Sequence, residues 1–293
     1  MDTSVRPRRS VLYMPGSNPR ALEKAKTLAA DGLILDLEDA VAPDAKVEAR
    51  RLVVEAIGNG GYGRREIIVR CNGLATPWGR DDLMAAARSG ADGVALPKVE
   101  SADVLRQAEA ILMEAGAPAS LALWAMIETP KGVLAVAEIA QATPRLVGLV
   151  MGTSDLAKDL RCAHTPDRQP MQYALSHCLL VARAFGLAIL DGVHLDLDDA
   201  EGFAASCRQG RDMGFDGKTL IHPKTIDAAN RIFAPGEEEI AWSRRIIAAH
   251  EEAAAAGKGV VVVDGRLVEN LHVVAARRRV AMAEQIQALA QPL

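Results

Sequence analysis

Residues 121–155 read LALWAMIETPKGVLAVAEIAQATPRLVGLVMGTSD. Two apolar runs, Leu121–Ile127 and Leu146–Met151, flank an amphipathic stretch over Lys131–Ala142. Neither run alternates apolar with polar residues, which is the pattern of a strand buried on both faces. Two such strands joined by a helix form a parallel unit with a right-handed crossover. Both runs end in polar residues. Glu128-Thr129-Pro130 follows the first and Gly152-Thr153-Ser154-Asp155 the second.

The same unit repeats in both directions. Strands are predicted over Ser10–Met14, Gly32–Asp36 (GLILD), Glu66–Arg70 (EIIVR), Gly93–Leu96, Leu187–Leu190 and Gly217–Ile221. Between them the pattern predicts helices over Asn18–Ala30, Asp44–Asn59 (with Asp44 as N-cap), Asp81–Ser89, Ser101–Ala115, Met171–Phe185 and Asp199–Met213, and another after Pro223. Eight strand–helix units in roughly 220 residues favour a closed (β/α)8 TIM barrel over an open doubly wound sheet. A tail follows: a helix over Pro235–Ala256, a break at Gly257–Gly259, a short strand or extended run over Val260–Asp264 and a last helix over Asn270–Leu289. The expected organisation is a barrel domain over 1–234 and a C-terminal arm or lid over 235–293.

Composition narrows the class. Nearly half of the 293 residues are hydrophobic (49%), enough for a large core, and the net charge is −4. That balance gives no general attraction to nucleic acid or to an acidic membrane. No apolar run approaches the ~20 residues that cross a bilayer, and Met1–Ser10 is basic without an apolar signal core. Cys71, Cys162, Cys178 and Cys207 are scattered without zinc or redox spacing, and read as buried free thiols of a reducing, cytoplasmic protein.

In a barrel of this kind, chemistry sits at the C-terminal strand ends. Polar residues gather there: Pro15-Gly16-Ser17; Asp36, Glu38 and Asp39; Arg70 and Asn72; Pro97-Lys98; Glu128; Asp155; Asp191; His222. Glu128 and Asp155 follow neighbouring strands, and two hard oxygen ligands without a His or Cys suit Mg²⁺. The alternative is a pair of capping or ion-paired acids. Arg70 can clamp a carboxylate or an oxyanion, or pair with Glu38 or Asp39. Gly152-Thr153-Ser154 can offer backbone N–H groups to an anion. Lys98 and Lys218 open a rival, Schiff-base chemistry at a strand end. His222 suits a phosphate contact, acid–base work or a loop hydrogen bond. The acids Asp196, Asp198 and Asp199 lack the glycine and glutamate of a calcium loop and read as a capped helix start.

Read together, RRSVLYMPGSNPRALEKA, LILDLEDAVAPDAKVEAR, VRCNG, IETPKGV, MGTSDLAKDL and GFDGKTLIHPKTI resemble the citrate lyase β-subunit and malyl-CoA lyase family, within the HpcH/HpaI aldolase superfamily. The resemblance runs from about Arg8 to the last helix. It implies a homo-oligomeric barrel enzyme, trimer or hexamer, acting on a CoA or acyl-carrier thioester. By position it implies Glu128 and Asp155 as ligands of Mg²⁺, with Mn²⁺ the alternative ion. Arg70 falls at the substrate carboxylate and oxyanion, and Tyr13 and Lys24 at CoA; Glu128 and the backbone donors of Gly152, Thr153 and Ser154 join the expected substrate contacts, and Arg20 can serve CoA. Asn18 stands where relatives carry an arginine, with Arg20 nearby. In the arm many relatives read DGxMIDxPH, whose aspartate is a base reaching a neighbouring subunit. This chain reads DGRLVENLH over Asp264–His272, with Glu269 in the aspartate's place and Leu271 in the proline's. The implied reaction is reversible Claisen cleavage of malyl-CoA or citramalyl-CoA to acetyl-CoA and a 2-oxoacid. The rivals are a citrate lyase β-subunit acting on citryl-acyl carrier protein and a non-catalytic acyl-CoA-binding barrel.

Overall fold

Short runs rich in Leu, Ile and Val extend as strands because their side chains pack on both pleated faces. In the computed structural model, which describes residues 5–255, 257 and 260–291, eight of them close a barrel. They are β1 (Ser10–Pro15), β2 (Gly32–Asp36), β3 (Glu66–Arg70), β4 (Gly93–Leu96), β5 (Ala122–Ile127), β6 (Leu146–Met151), β7 (Ala188–Asp191) and β8 (Gly217–Leu220). All neighbours are parallel, and β8 closes on β1 through Thr219 opposite Val11.

The two strand faces enter different clusters. One cluster joins Leu33, Val69, Leu149 and Ile189 to the helices outside. The other holds Val11, Ile34, Ile68, Trp124, Val150 and Leu190 from six strands, with no helical residue, and fills the barrel interior. Alternation along a strand therefore places Tyr13, Asp36 and Arg70 on the inner face, two residues beyond Val11, Ile34 and Ile68. By the same alternation Asp191 and Lys218 share the outer face of Ile189 and Leu220. The barrel spans the compact unit Arg8–Phe233.

Among the described residues, Val5–Pro7 and those from Ala234 onward form a second compact unit. Its helix Glu237–Ala255 and helix Asn270–Ala290 bracket a hairpin of β9 (Val261–Val263) and β10 (Arg266–Val268). Ile246, Val263, Val268, Val273 and Ala276 form its core. Asp264 and Gly265 make the turn at φ +50° and +76°, the geometry that matches strand twist in a two-residue hairpin. Of the break expected at Gly257–Gly259, Lys258 and Gly259 lie outside the described residues, as does Ala256 at the expected helix end.

Several local expectations change; the helix expected over Lys131–Ala142 is two short helices, Pro130–Leu134 and Val136–Ile139. The first helix runs over Pro19–Ala25, not Asn18–Ala30, with Asn18 as its N-cap. Past Ala25 the bonds tighten to the i→i+3 type, Lys26 N to Glu23 O and Leu28 N to Ala25 O, and the helix ends. Asp44 caps nothing. Pro43 starts a 3-10 turn ahead of it, Pro43–Ala45, and the helix Lys46–Gly58 follows with Ala45 as its cap. Cys162 is half-buried, whereas Cys71, Cys178 and Cys207 are buried; all four are free.

Candidate active site

Arg70 ends β3 beside Asp36 at the end of β2, where the two are register partners. Its Nε and Nη2 donate to both Asp36 oxygens at 2.6 Å. Nη1 reaches Glu38 at 2.8 Å and Asp39 at 3.3 Å. The guanidinium lies 4.9 Å from the centroid of the half-buried Tyr13 ring. Arg70 is therefore committed to a carboxylate cage, with Asp36 as its main partner, and Nη1 is the part turned to the more exposed acids. Two backbone N–H groups, Glu38 and Ala40, also donate to Asp36 and fix it.

Glu128 follows β5 and is 3% exposed. Its Oε1 accepts the Lys98 backbone N–H at 2.7 Å. Burial pushes this carboxyl up to about 7, against the Lys98 amide and with help from Glu38. A Cβ at Gly152 would lie 2.3 Å from Glu128 Cβ and 2.4 Å from Oε2, so the chain leaving β6 passes this carboxylate as glycine. Gly152→Ala is expected to cost about 1–3 kcal/mol through overpacking; a melting temperature equal to the parent's would remove the constraint.

Lys98 connects the remaining acids. Its ammonium reaches Glu38 Oε1 at 3.1 Å. Burial lowers its proton affinity, but Glu38, Glu128 and Asp155 raise it, and the net direction is upward. One cation thus sits in the field of three carboxylates from different strand ends. Asp155 lies in the first turn of the helix Thr153–Leu160 and pairs with Lys158 at 2.8 Å. Beside it, Ser154 Oγ is buried with no hydrogen-bond partner among the described residues.

The donor chemistry fits a hard divalent cation. Glu128 is a buried carboxyl whose ionisation burial opposes, Asp155 is a second acid in the same field, and Ser154 Oγ is an unmatched oxygen. No cluster of three His, Cys, Asp or Glu capable of holding a metal occurs among the described residues. Two acids leaving most positions to water and substrate is a Mg²⁺ pattern rather than a zinc one.

Other expected residues are placed elsewhere. Arg20 and Lys24 stand four apart and exposed on the helix Pro19–Ala25, whereas Tyr13 faces the barrel interior. Asp191 does not face the mouth: it packs toward the helix Ala200–Met213 and pairs with Lys218 and Arg168. Lys218 is fully buried in that pair, which removes it as a Schiff-base lysine. His222 is exposed, its Nδ1 accepting the Lys224 N–H at 3.1 Å. Asp199 caps the helix Ala200–Met213, as its sequence predicts. Glu269, in the second unit, is exposed at the N-cap of the last helix, and its backbone N–H donates to His272 Nδ1 at 3.0 Å. Two residues were not singled out as positioning groups from sequence. Asp36 stands out in the sequence only as a polar strand end, and Lys98 only as a polar strand end and a possible imine former.

No helix among the described residues is long and apolar enough to cross a membrane. Comparison with known proteins gives the family. The HpcH/HpaI aldolase/citrate lyase family model matches residues 9–223. The chain is 55% identical to a (3S)-malyl-CoA thioesterase of Cereibacter sphaeroides over 96% of either chain. It is 38% identical to citrate lyase subunit beta of Leuconostoc mesenteroides subsp. cremoris, over 94% of this chain and 93% of that one. Among solved structures, the CitE protein of Mycobacterium tuberculosis in complex with magnesium, acetoacetate and coenzyme A is similar at 31% identity. Its TM-score is 0.74, covering 97% of this chain and 99% of that one. The chain belongs to the HpcH/HpaI aldolase/citrate lyase family of enzymes.

Proposed function

We propose that the barrel mouth is a Mg²⁺-dependent site for a 3-hydroxyacyl-CoA of the malyl-CoA type. The observation that carries this is that Lys98 holds Glu128 through its backbone N–H and Glu38 through its ammonium, beside the caged Arg70 and in the field of Asp155. Glu128 and Asp155 would hold the ion. When bound, it would polarise the substrate's hydroxyl and carboxylate oxygens as a Lewis acid. Arg70 Nη1, and the backbone N–H groups of Gly152, Thr153 and Ser154 at a helix start, would face the substrate's negative charge. Tyr13, Arg20 and Lys24 are the proposed CoA contacts, the two helical cations suiting its phosphates.

Two bonds of this substrate are open to the same groups. In the first reaction, water adds to the thioester carbonyl and the CoA sulfur leaves with a proton, giving malate and free CoA. In the second, the hydroxyl loses its proton and the adjacent carbon–carbon bond breaks. Glyoxylate leaves, and the acetyl-CoA enolate takes up a proton. We place hydrolysis first, because relatives 55% identical along almost the whole chain carry the thioesterase name. Carbon–carbon lysis is the second reading, supported by the family's aldolase and citrate lyase members.

The deciding assay uses the purified chain alone, malyl-CoA and citramalyl-CoA, and Mg²⁺ or EDTA. Free thiol without glyoxylate or pyruvate supports hydrolysis. Oxoacid without thiol moves the assignment to a lyase. Silence toward both, with CoA still bound, favours the citrate lyase β-subunit reading or a non-catalytic acyl-CoA-binding barrel.

Glu269 is our candidate for proton transfer, delivered by a second copy in a cytoplasmic homotrimer or hexamer of barrel-and-arm chains. Glu269→Gln is expected to lower kcat by about 10²–10⁴-fold with Mn²⁺ binding unchanged. Mixing Glu269→Gln with Glu128→Gln chains should restore part of the activity, since each carries the acid the other lacks. Unchanged turnover in Glu269→Gln alone would sink this role.

A further inference from the structure

Lys98 holds a backbone conformation that lysine seldom takes. Its φ is +48°, in the left-handed region that costs free energy for any residue with a Cβ. This geometry directs its N–H to Glu128 Oε1 at 2.7 Å, while the next N–H, of Val99, returns to Met126 O at 3.1 Å. Glycine would make the same amide bond without the strain. What lysine adds is an ammonium, and that ammonium reaches Glu38 and lies in the field of Glu128 and Asp155. Its side chain is 43% exposed, so the long stem can carry the charge out toward solvent without unpacking the barrel.

We propose that the Lys98 ammonium is a resident counter-cation of the carboxylate cluster, one that an incoming divalent ion displaces, so that Lys98 sets the affinity of the metal site. The proposal rests on the reading that Glu128 and Asp155 hold the metal. Lys98 acts through them as a positioning residue: its amide fixes one oxygen of Glu128, and its ammonium offsets the repulsion among the acids until the metal arrives.

Metal binding tests it without turnover. Mn²⁺ is titrated into the full chain in the absence of substrate, and free Mn²⁺ is read by electron paramagnetic resonance. Lys98→Met removes the charge and keeps the amide; its Kd for Mn²⁺ is expected to tighten by about tenfold. Lys98→Gly, free of the backbone strain, should tighten likewise and covers the case in which Lys98→Met folds poorly. Lys98→Arg should stay within about twofold of the parent, since charge is kept. Unchanged or weaker binding in Lys98→Met and Lys98→Gly overturns the proposal, as does equal tightening in Lys98→Arg. Glu128→Gln separates the two levels. If it binds Mn²⁺ like the parent, the metal assignment itself is wrong; if it loses Mn²⁺ while the Lys98 variants show no change, only the role of Lys98 falls.

Discussion

Glu128→Gln is expected to lower kcat/KM for malyl-CoA by at least about 10³-fold and to abolish Mn²⁺ binding. Metal polarisation is worth several kcal/mol of transition-state stabilisation, and each ~1.4 kcal/mol is tenfold in rate. The substitution is close to isosteric. A glutamine carbonyl can still accept the Lys98 N–H that Glu128 Oε1 accepts at 2.7 Å, so the barrel should remain folded while the charge is lost. Stability gives an independent readout. The Glu128 carboxyl is pushed up to about 7, from an ordinary 4.5. Between those values the folded protein keeps a proton that the unfolded chain has released, so metal-free stability falls as pH rises across that window. A shift of this size corresponds to roughly 3 kcal/mol at most. The parent in EDTA should thus melt lower at pH 8 than at pH 5.5 by more than Glu128→Gln does, and Mg²⁺ should close the gap. Equal pH slopes for the two proteins would remove burial as the source of the shift.

The barrel is legible because strand identity depends on composition over a few residues. GLILD and EIIVR are strands by content alone, and their order with helices fixes a parallel, closed sheet. Facing is not legible in the same way. A strand buried on both sides has no polar parity to read, so Asp191 at the end of AILD looks as mouth-facing as Asp36 at the end of GLILD. Only the observed packing separates them: Asp36 meets Arg70 inside, and Asp191 meets Lys218 outside. The role of Lys98 is hidden for a different reason. A positive φ on a non-glycine residue leaves no mark in the sequence, and the Pro97-Lys98 pair reads as an ordinary strand exit. The β9–β10 hairpin was within reach, since Asp264-Gly265 is a strong turn signal between apolar residues; the three-residue strands were too short to announce a pair.

Asp191→Asn is expected to destabilise the barrel by about 3–5 kcal/mol, the usual cost of stripping a buried charge of its partner. Asp191 and Lys218 are fully buried and Arg168 is 8% exposed. The carboxylate receives Lys218 Nζ at 2.8 Å, Arg168 Nη1 at 2.6 Å and the Gly192 N–H at 2.8 Å. Burial alone would raise its pKa, but Lys218 and Arg168 outweigh burial and hold it below the usual carboxylate value. Its contribution is therefore present near neutrality and is lost only as pH falls through the acid range, below about 4. Asparagine leaves two cations facing each other with no counter-charge. At roughly 2–4 °C per kcal/mol for a chain of this size, the melting temperature should drop by about 10 °C. Adding Lys218→Met to Asp191→Asn should recover part of the loss, because it removes one of the stranded cations. Turnover per folded molecule should stay near the parent's in Asp191→Asn and in Lys218→Met, since the network lies between sheet and helices rather than in the mouth. A drop of less than about 2 °C in Asp191→Asn would show that the two cations find other partners. Lost turnover in a folded Lys218→Met would instead return that lysine to the chemistry.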